Sequence, residues 1–112
     1  MSNDALFVAD ILGRINRIED YTQAGRTTFM ASNLLQDGTI RSLEVIGEAV
    51  KRLSPELRSR FSQVPWRQIA GLRDVLIHDY GSVDALEVWN VVENDLPDLK
   101  AQLLMIQQVL EG

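Results

Sequence analysis

Apolar residues recur every three or four positions along nearly the whole chain, and this spacing limits the possible fold more than any other feature. Phe7, Ile11, Ile15 and Ile18, for example, follow one another at steps of four, four and three. Such steps keep side chains on one face of an α-helix, whereas a half-buried strand alternates at every second residue. No stretch of the sequence alternates in that way. The chain is therefore predicted to be all-α.

Glycine, proline and capping residues divide the pattern into four main helices and one short one. The predicted bounds are about 3–24, about 28–53 with a local irregularity at Asp37-Gly38, Pro55 to about Phe61, Pro65 to about Asp79 or Tyr80, and a last helix capped by Ser82. Pro97 either kinks that last helix or begins a second one. The short connections favour an antiparallel up-and-down four-helix bundle with a short extra helix, in a single domain spanning residues 1–112.

Residue usage excludes several kinds of chemistry. The chain has no cysteine and one histidine, which rules out disulfides, a thiolate nucleophile and a multi-histidine metal site within one chain. The first residues do not resemble a secretory leader, and no apolar run approaches the roughly 18 residues of a membrane span. We expect a cytoplasmic protein that uses no metal or cofactor and does not associate with a membrane.

Charge is distributed unevenly along the sequence. The formal net charge of −5 argues by itself against a nucleic-acid-binding protein. Residues 1–40 sum to −2, residues 41–73 to +4, and residues 74–112 to −7. A basic middle segment thus lies between two acidic ones, and the total charge hides it.

Four polar side chains of different chemistry cluster at the end of the predicted third helix: Arg73, Asp74, His78 and Tyr80. At about 100° per residue, Asp74 and His78 share a face, as do Arg73 and Tyr80 if the helix extends that far. Arg73 and His78 point about 140° apart, so a site using both forms more easily where two copies of the helix meet in a dimer. Each residue taken alone is ordinarily structural, as a cap or an ion pair.

As a unit, the pattern Arg73-Asp74-x-x-x-His78-x-Tyr80 resembles the Arg-x(four to six)-His motif of the HEPN superfamily. Its His-x-Tyr extension is similar to the HepT family of toxins, although family members often have Asn where this chain has Asp74. The resemblance extends from about Phe29 to the C-terminus. It also includes the Arg41–Ala49 segment with its Ile-Gly-Glu-Ala run, Pro65-Trp66, Val83-Asp84 and Leu96-Pro97-x-Leu99.

This resemblance implies an endoribonuclease toxin that cuts RNA without a metal, works as a homodimer and is paired with a nucleotidyltransferase antitoxin of the MntA type. Arg73 and His78 would be catalytic, Asp74 would orient His78, and Arg41 and Arg73 would contact RNA. Tyr80 would receive AMP from the antitoxin, which silences the toxin. DNA is not an expected substrate.

The residue types suit that chemistry. Imidazole titrates near neutrality and can act as acid or base, and Arg73 can hold a phosphate and stabilise its added charge. With one histidine per chain, a two-histidine mechanism needs both protomers. The expected products are a 2′,3′-cyclic phosphate and a 5′-hydroxyl. If the dimer joins two basic middle segments, they form a basic groove for RNA on an otherwise acidic protein. The overall negative charge would suit a partner protein with a basic face.

Two other interpretations remain open at the level of sequence. The chain could be a non-catalytic subunit that binds a nucleotidyltransferase or a nucleotide, or a plain helical dimerisation module. Glu44 and Glu48, four residues apart, are expected to form a solvated or arginine-paired face rather than a metal site, with Arg41 or Arg73 as partners. Trp66 and Trp89 are expected in the core or at a dimer edge.

Overall fold

The computed structural model describes residues 3–77 and 83–112, and most of them are helical. The predicted all-α class is confirmed. The helices are α1 (Asp4–Thr22), α2 (Arg26–Met30), α3 (Asn33–Arg52), α4 (Pro55–Arg60), α5 (Trp66–Ala70), α6 (Leu72–Leu76), α7 (Ala85–Asn90) and α8 (Leu96–Glu111), with a π-helical turn over Val91–Asp95 between the last two.

Contacts at both ends of α1 show that its neighbours run antiparallel to it. At its start, the carboxylate of Asp4 accepts hydrogen bonds from the backbone N–H of Ser54 at 2.8 Å and from its hydroxyl at 2.6 Å, just beyond the end of α3. Near its other end, Oε1 of Glu19 lies 2.9 Å from Nζ of Lys100, in the first turns of α8. Together with α5 and α6, which pack on α3, these helices form the predicted up-and-down bundle.

Buried apolar side chains from all the long helices form one contiguous core. Ile11, Ile15 and Ile18 of α1 are at most 1 % exposed, as their spacing predicts. Phe7, the first residue of the same pattern, is only half-buried. None of the helices in the described ranges is both long enough and apolar enough to cross a bilayer.

The predicted second helix is interrupted, but not at the predicted place. The break lies at Ala31-Ser32, where Ser32 is extended and its hydroxyl accepts the backbone N–H of Leu35 at 3.2 Å as the cap of α3. Gly38 instead lies inside α3, where a Cβ would come within 2.9–3.1 Å of three ring carbons of Tyr21. Glycine at this position therefore lets the aromatic ring of α1 pack against α3, and it does not break the helix.

The predicted third helix is also divided, and it ends earlier than expected. Gly71 separates α5 from α6, and α6 ends at Leu76. Ile77 is extended, with φ −114° and ψ 118°, and forms an antiparallel bridge with Val83. The expected extension to Asp79 or Tyr80 was wrong because this bridge takes the backbone out of helical geometry. The predicted angles from Arg73 and Asp74 to His78 and Tyr80 assumed a continuous helix and no longer apply.

The last helical segment begins and continues differently from the sequence expectation. Its cap is Asp84, whose carboxylate accepts the N–H of Glu87 at 3.1 Å, while the predicted cap, Ser82, lies outside the described residues. Of the two alternatives at Pro97, the structure has the second: a separate helix, α8, begins at Leu96, directly after Asp95 and with Pro97 in its first turn. The preceding π turn, in which the N–H of Leu96 donates to the carbonyl of Val91 five residues earlier, carries the chain into α8. A proline lacks the N–H that a regular turn needs and crowds the carbonyl four residues before it, and the wider turn accommodates both defects.

Candidate functional site

A cavity of about 320 Å³ lies between α3 and α6, and three of the residues predicted for function line it. Arg41 comes from α3, while Arg73 and Asp74 come from the first turn of α6. The structure therefore brings together three side chains that are separated by up to 33 positions in the sequence. His78 and Tyr80, the other two predicted residues, lie outside the described residues.

Arg73 is the best-defined cation of the cavity. Its Nε lies 3.3 Å from Oε2 of Glu44, one of the two carboxylates that were expected to pair with an arginine. The side chain of Arg73 is 63 % exposed and that of Glu44 is 27 % exposed. Because Glu44 engages Nε, the terminal nitrogens of the guanidinium stay available for a ligand, and these are the atoms that can bind two phosphate oxygens at once.

Gly47 explains how α3 and the α5–α6 segment come close enough for this contact. A Cβ at Gly47 would lie 3.3 Å from the carbonyl oxygens of both Ile69 and Ala70, so only glycine fits this approach without displacing the backbone opposite. Glu44 lies nearly one turn before Gly47, and Arg73 lies just beyond Ala70. The two antiparallel segments therefore bring the carboxylate and the guanidinium together.

Asp74 is exposed, and its backbone N–H donates to the carbonyl of Gly71 at 3.1 Å. This bond belongs to the turn that starts α6 anew after the break at Gly71. Asp74 lines the same cavity as Arg73 and Arg41. The expected role of Asp74 in orienting His78 stays a prediction.

The second carboxylate of α3, Glu48, pairs with Lys51 at 3.2 Å, and both side chains are well exposed. Together with the Glu44 contact, this confirms the interpretation of the two glutamates as a solvated, cation-paired face. Lys51 also lines the cavity, a position that the sequence arguments missed. Its place three residues after Glu48, inside the basic segment 41–73, was the available signal.

Charge in the cavity is balanced within one protomer. The lining includes three cations, Arg41, Lys51 and Arg73, and three carboxylates, Glu44, Glu48 and Asp74. The basic segment therefore does not by itself create a strongly positive pocket. Within residues 3–77 and 83–112, no group of three histidine, aspartate or glutamate side chains is arranged to hold a metal ion.

The two tryptophans occupy structural positions, as predicted. Trp66 is buried and its indole N–H donates to the carbonyl of Phe61 at 3.1 Å. Trp89 is half-buried and lies against Phe29, with 5.4 Å between the ring centroids. Both rings thus fix the ends of short helices against the core.

Comparisons with known proteins converge on one family. The model of the family described as "HepT-like: Ribonuclease HepT-like" matches residues 11–106. A "Probable ribonuclease HepT" of Thermococcus cleftensis is 36% identical over 86% of this chain and 88% of its own length. A "Putative RNase" of Methanocaldococcus jannaschii is 33% identical over 89% of this chain and 93% of its own length.

A longer relative from Methanocaldococcus jannaschii is named "Gamma-glutamylcyclotransferase and putative RNase". It is 40% identical over 95% of this chain, and the chain spans 48% of its length. No solved structure matches the chain.

Proposed function

The chain belongs to the HepT-like ribonuclease family, and on that premise we propose that it is an endoribonuclease toxin whose cleft includes the cavity between α3 and α6. The observation that carries the proposal is the environment of Arg73. Its guanidinium is exposed, is held through Nε by Glu44, and lies in the same cavity as Arg41. An arginine held in this way presents its terminal nitrogens to a phosphate without first having to be ordered.

The proposed reaction uses the 2′-hydroxyl of RNA as its own nucleophile. A general base removes the proton of that hydroxyl, the 2′-oxygen attacks the adjacent phosphorus, and the 5′-oxygen leaves with a proton from a general acid. The products are a 2′,3′-cyclic phosphate and a 5′-hydroxyl. Arg73 stabilises the charge that develops on the phosphorane. Each of these roles can be filled by imidazole and guanidinium groups, so the proposed cleavage needs no metal.

His78 is the residue proposed for proton transfer, and Asp74 is proposed to orient it. Since each chain has a single histidine, an acid and a base that are both imidazoles must come from two protomers. The proposed active form is therefore a homodimer. It acts in the cytoplasm, on RNA and not on DNA, because DNA lacks the 2′-hydroxyl.

Regulation is proposed to act at Tyr80, through a nucleotidyltransferase antitoxin of the MntA type. The phenol oxygen attacks the α-phosphate of ATP, diphosphate leaves, and the tyrosine carries AMP. The added phosphate is an anion in the same motif as Arg73, where it would compete with the phosphate of RNA for that cation. Modified protein should therefore bind RNA poorly.

The cleavage proposal is tested with a fluorescent RNA in the presence of EDTA. Wild-type protein purified without the antitoxin is expected to cleave, and Arg73→Ala and His78→Ala are expected to lose at least about 100-fold in rate, the usual effect of removing one stabilising or proton-transferring group. Arg67→Ala is the matched control, since Arg67 is also exposed and in the basic segment but does not line the cavity. Cleavage that is absent in unmodified wild type, or equally reduced in all three variants, contradicts the proposal.

A separate measurement addresses Tyr80. Intact-mass analysis after co-expression with the antitoxin should show the mass of one or more AMP units on the wild type and none on Tyr80→Phe. An unchanged wild-type mass, or the same increase on the variant, refutes this part while leaving the cleavage result intact.

A further inference from the structure

A second groove, which we call the α1–α3 groove, adjoins the α3–α6 cavity on the other side of α3. It encloses about 580 Å³. Its basic side chains are Arg14 and Arg17 from α1 and Arg52 from the end of α3. None of these three arginines takes part in the proposed reaction.

The two depressions are neighbours, because two residues line both of them. Val45 and Glu48 of α3 line both the α3–α6 cavity and the α1–α3 groove. On α3, Arg41, Val45 and Glu48 follow at steps of four and three, which places them along one exposed edge of the helix. An RNA strand bound at Arg73 can therefore continue across this edge of α3 into the groove.

The arginines of the groove are available for an anion. Within the described part of the chain, no carboxylate lies within 4.0 Å of the guanidinium nitrogens of Arg14, Arg17 or Arg52. Glu48, one of two acidic residues in the groove, is already engaged by Lys51. The floor is also open, since a Cβ built on Gly13 meets no atom within 4 Å.

The acidic C-terminal segment offers no such path. The described residues 83–112 carry six carboxylates and one cation, Lys100, which is paired with Glu19. A groove between α5 and α8 is lined by Asp95 and Asp98 and by no basic residue. RNA that enters the α3–α6 cavity would be repelled by this acidic groove and attracted by the arginines of the α1–α3 groove.

We propose that the α1–α3 groove binds the phosphates of the RNA strand that flank the scissile phosphate, with Arg14, Arg17 and Arg52 as the contacting residues. This inference rests on the proposed ribonuclease function and adds to it a surface that holds the substrate away from the reacting bond. The contacts are to phosphate, so they favour longer strands without selecting a base sequence.

The test measures binding, so that it does not depend on cleavage. Oligonucleotides with 2′-O-methyl groups lack the nucleophile, and lengths of about 4 and about 16 nucleotides bracket the range of typical single-strand sites. Each phosphate contact to a single strand contributes about 0.7 to the slope of log K against log salt concentration. Arg14→Gln combined with Arg17→Gln is therefore expected to lower the slope for the long strand by about 1.4 and to weaken its binding more than that of the short strand.

Arg26→Gln combined with Arg60→Gln is the charge-matched control, because both residues are exposed and neither lines the cavity or the groove. An unchanged slope in the groove variant, or an equal drop in the control, overturns the inference. So does a groove variant that binds RNA normally but no longer forms a complex with the antitoxin, since the groove would then be a protein interface. If wild-type protein binds the long strand through the groove but never cleaves RNA, only the proposed function fails.

Discussion

Replacing Gly47 with alanine tests whether the approach of α3 to the end of α5 controls the candidate site. The new methyl group would lie 3.3 Å from the carbonyl oxygens of Ile69 and Ala70. Ordinary contacts between non-bonded heavy atoms are about 3.5–4.0 Å. Backbone oxygens cannot rotate away as a side chain can, so α5 must move by a few tenths of an ångström or the contact stays strained.

Two opposing effects determine how much Gly47→Ala changes the free energy of unfolding. Alanine is favoured over glycine in a helix interior by about 1 kcal/mol, whereas forcing extra volume into a packed contact costs about 1–3 kcal/mol. The free energy of unfolding of Gly47→Ala should therefore fall by about 1 kcal/mol. Gly13→Ala supplies the matched control, because Gly13 lies inside α1 and its Cβ would meet nothing within 4 Å. That variant should gain about 1 kcal/mol.

Urea denaturation followed by circular dichroism measures both variants. The two free energies of unfolding should differ by about 1–3 kcal/mol, with m values equal to that of the wild type. A displaced α5 also moves Arg73 relative to Glu44, so Gly47→Ala should cleave RNA more slowly, while Gly13→Ala serves as a control for stability alone. If both alanines stabilise the protein equally, Gly47 is not a packing constraint and the reasoning is refuted.

Three further substitutions test other contacts. Asp4→Ala removes the carboxylate that accepts two hydrogen bonds from Ser54, and it should lower the free energy of unfolding in urea by about 2–3 kcal/mol, since bonds to charged groups are stronger than neutral ones. Trp66→Phe removes the indole N–H, one of two donors to the carbonyl of Phe61, which keeps its bond from the backbone N–H of Val64, so the loss should be about 0.5–1.5 kcal/mol by the same measurement. Glu44→Ala should change stability by less than about 1 kcal/mol because Arg73 is mostly exposed, yet it should reduce kcat/KM for RNA, and Glu44→Gln should restore part of that loss. A large loss of stability without a change in kcat/KM would contradict the positioning role of Glu44.

Periodicity predicted the long helices well because each of them buries a continuous apolar face. The errors concern positions where a local feature competes with that face. Asp37-Gly38 has the composition of a turn, but the ring of Tyr21 fills the space that a Cβ would need at Gly38. The actual break, at Ala31-Ser32, depends on a serine cap that looks no different in sequence from other serines.

The end of α6 was beyond sequence reasoning for a different reason. Gly81 suggested a helix terminus near Tyr80, but the bridge between Ile77 and Val83 is a contact between two short segments with no strand pattern. The site could be predicted in part. Arg41, Arg73 and Asp74 line one cavity, while their catalytic and RNA-binding roles stay predictions, and the pairing of Glu44 with Arg73 was among the expected alternatives. The role of Gly47 depends on how closely two helices approach, which spacing does not reveal.

The π turn before α8 has a consequence for how the chain tolerates changes in length. The buried residues on either side of it are separated by three, five, three, four and three positions: Val88, Val91, Leu96, Leu99, Leu103 and Ile106. Removing one residue from the turn would change the step of five to a step of four, which is the regular phase of an α-helix. The core therefore does not need the extra residue of the turn. Its effect is to accommodate Pro97. Deleting one residue of the turn together with Pro97→Ala should leave a single regular helix that buries the same residues. The deletion alone would put Pro97 in a regular α-helical turn that lacks one N–H donor. Pro97→Ala alone would leave the π turn without the proline that it accommodates.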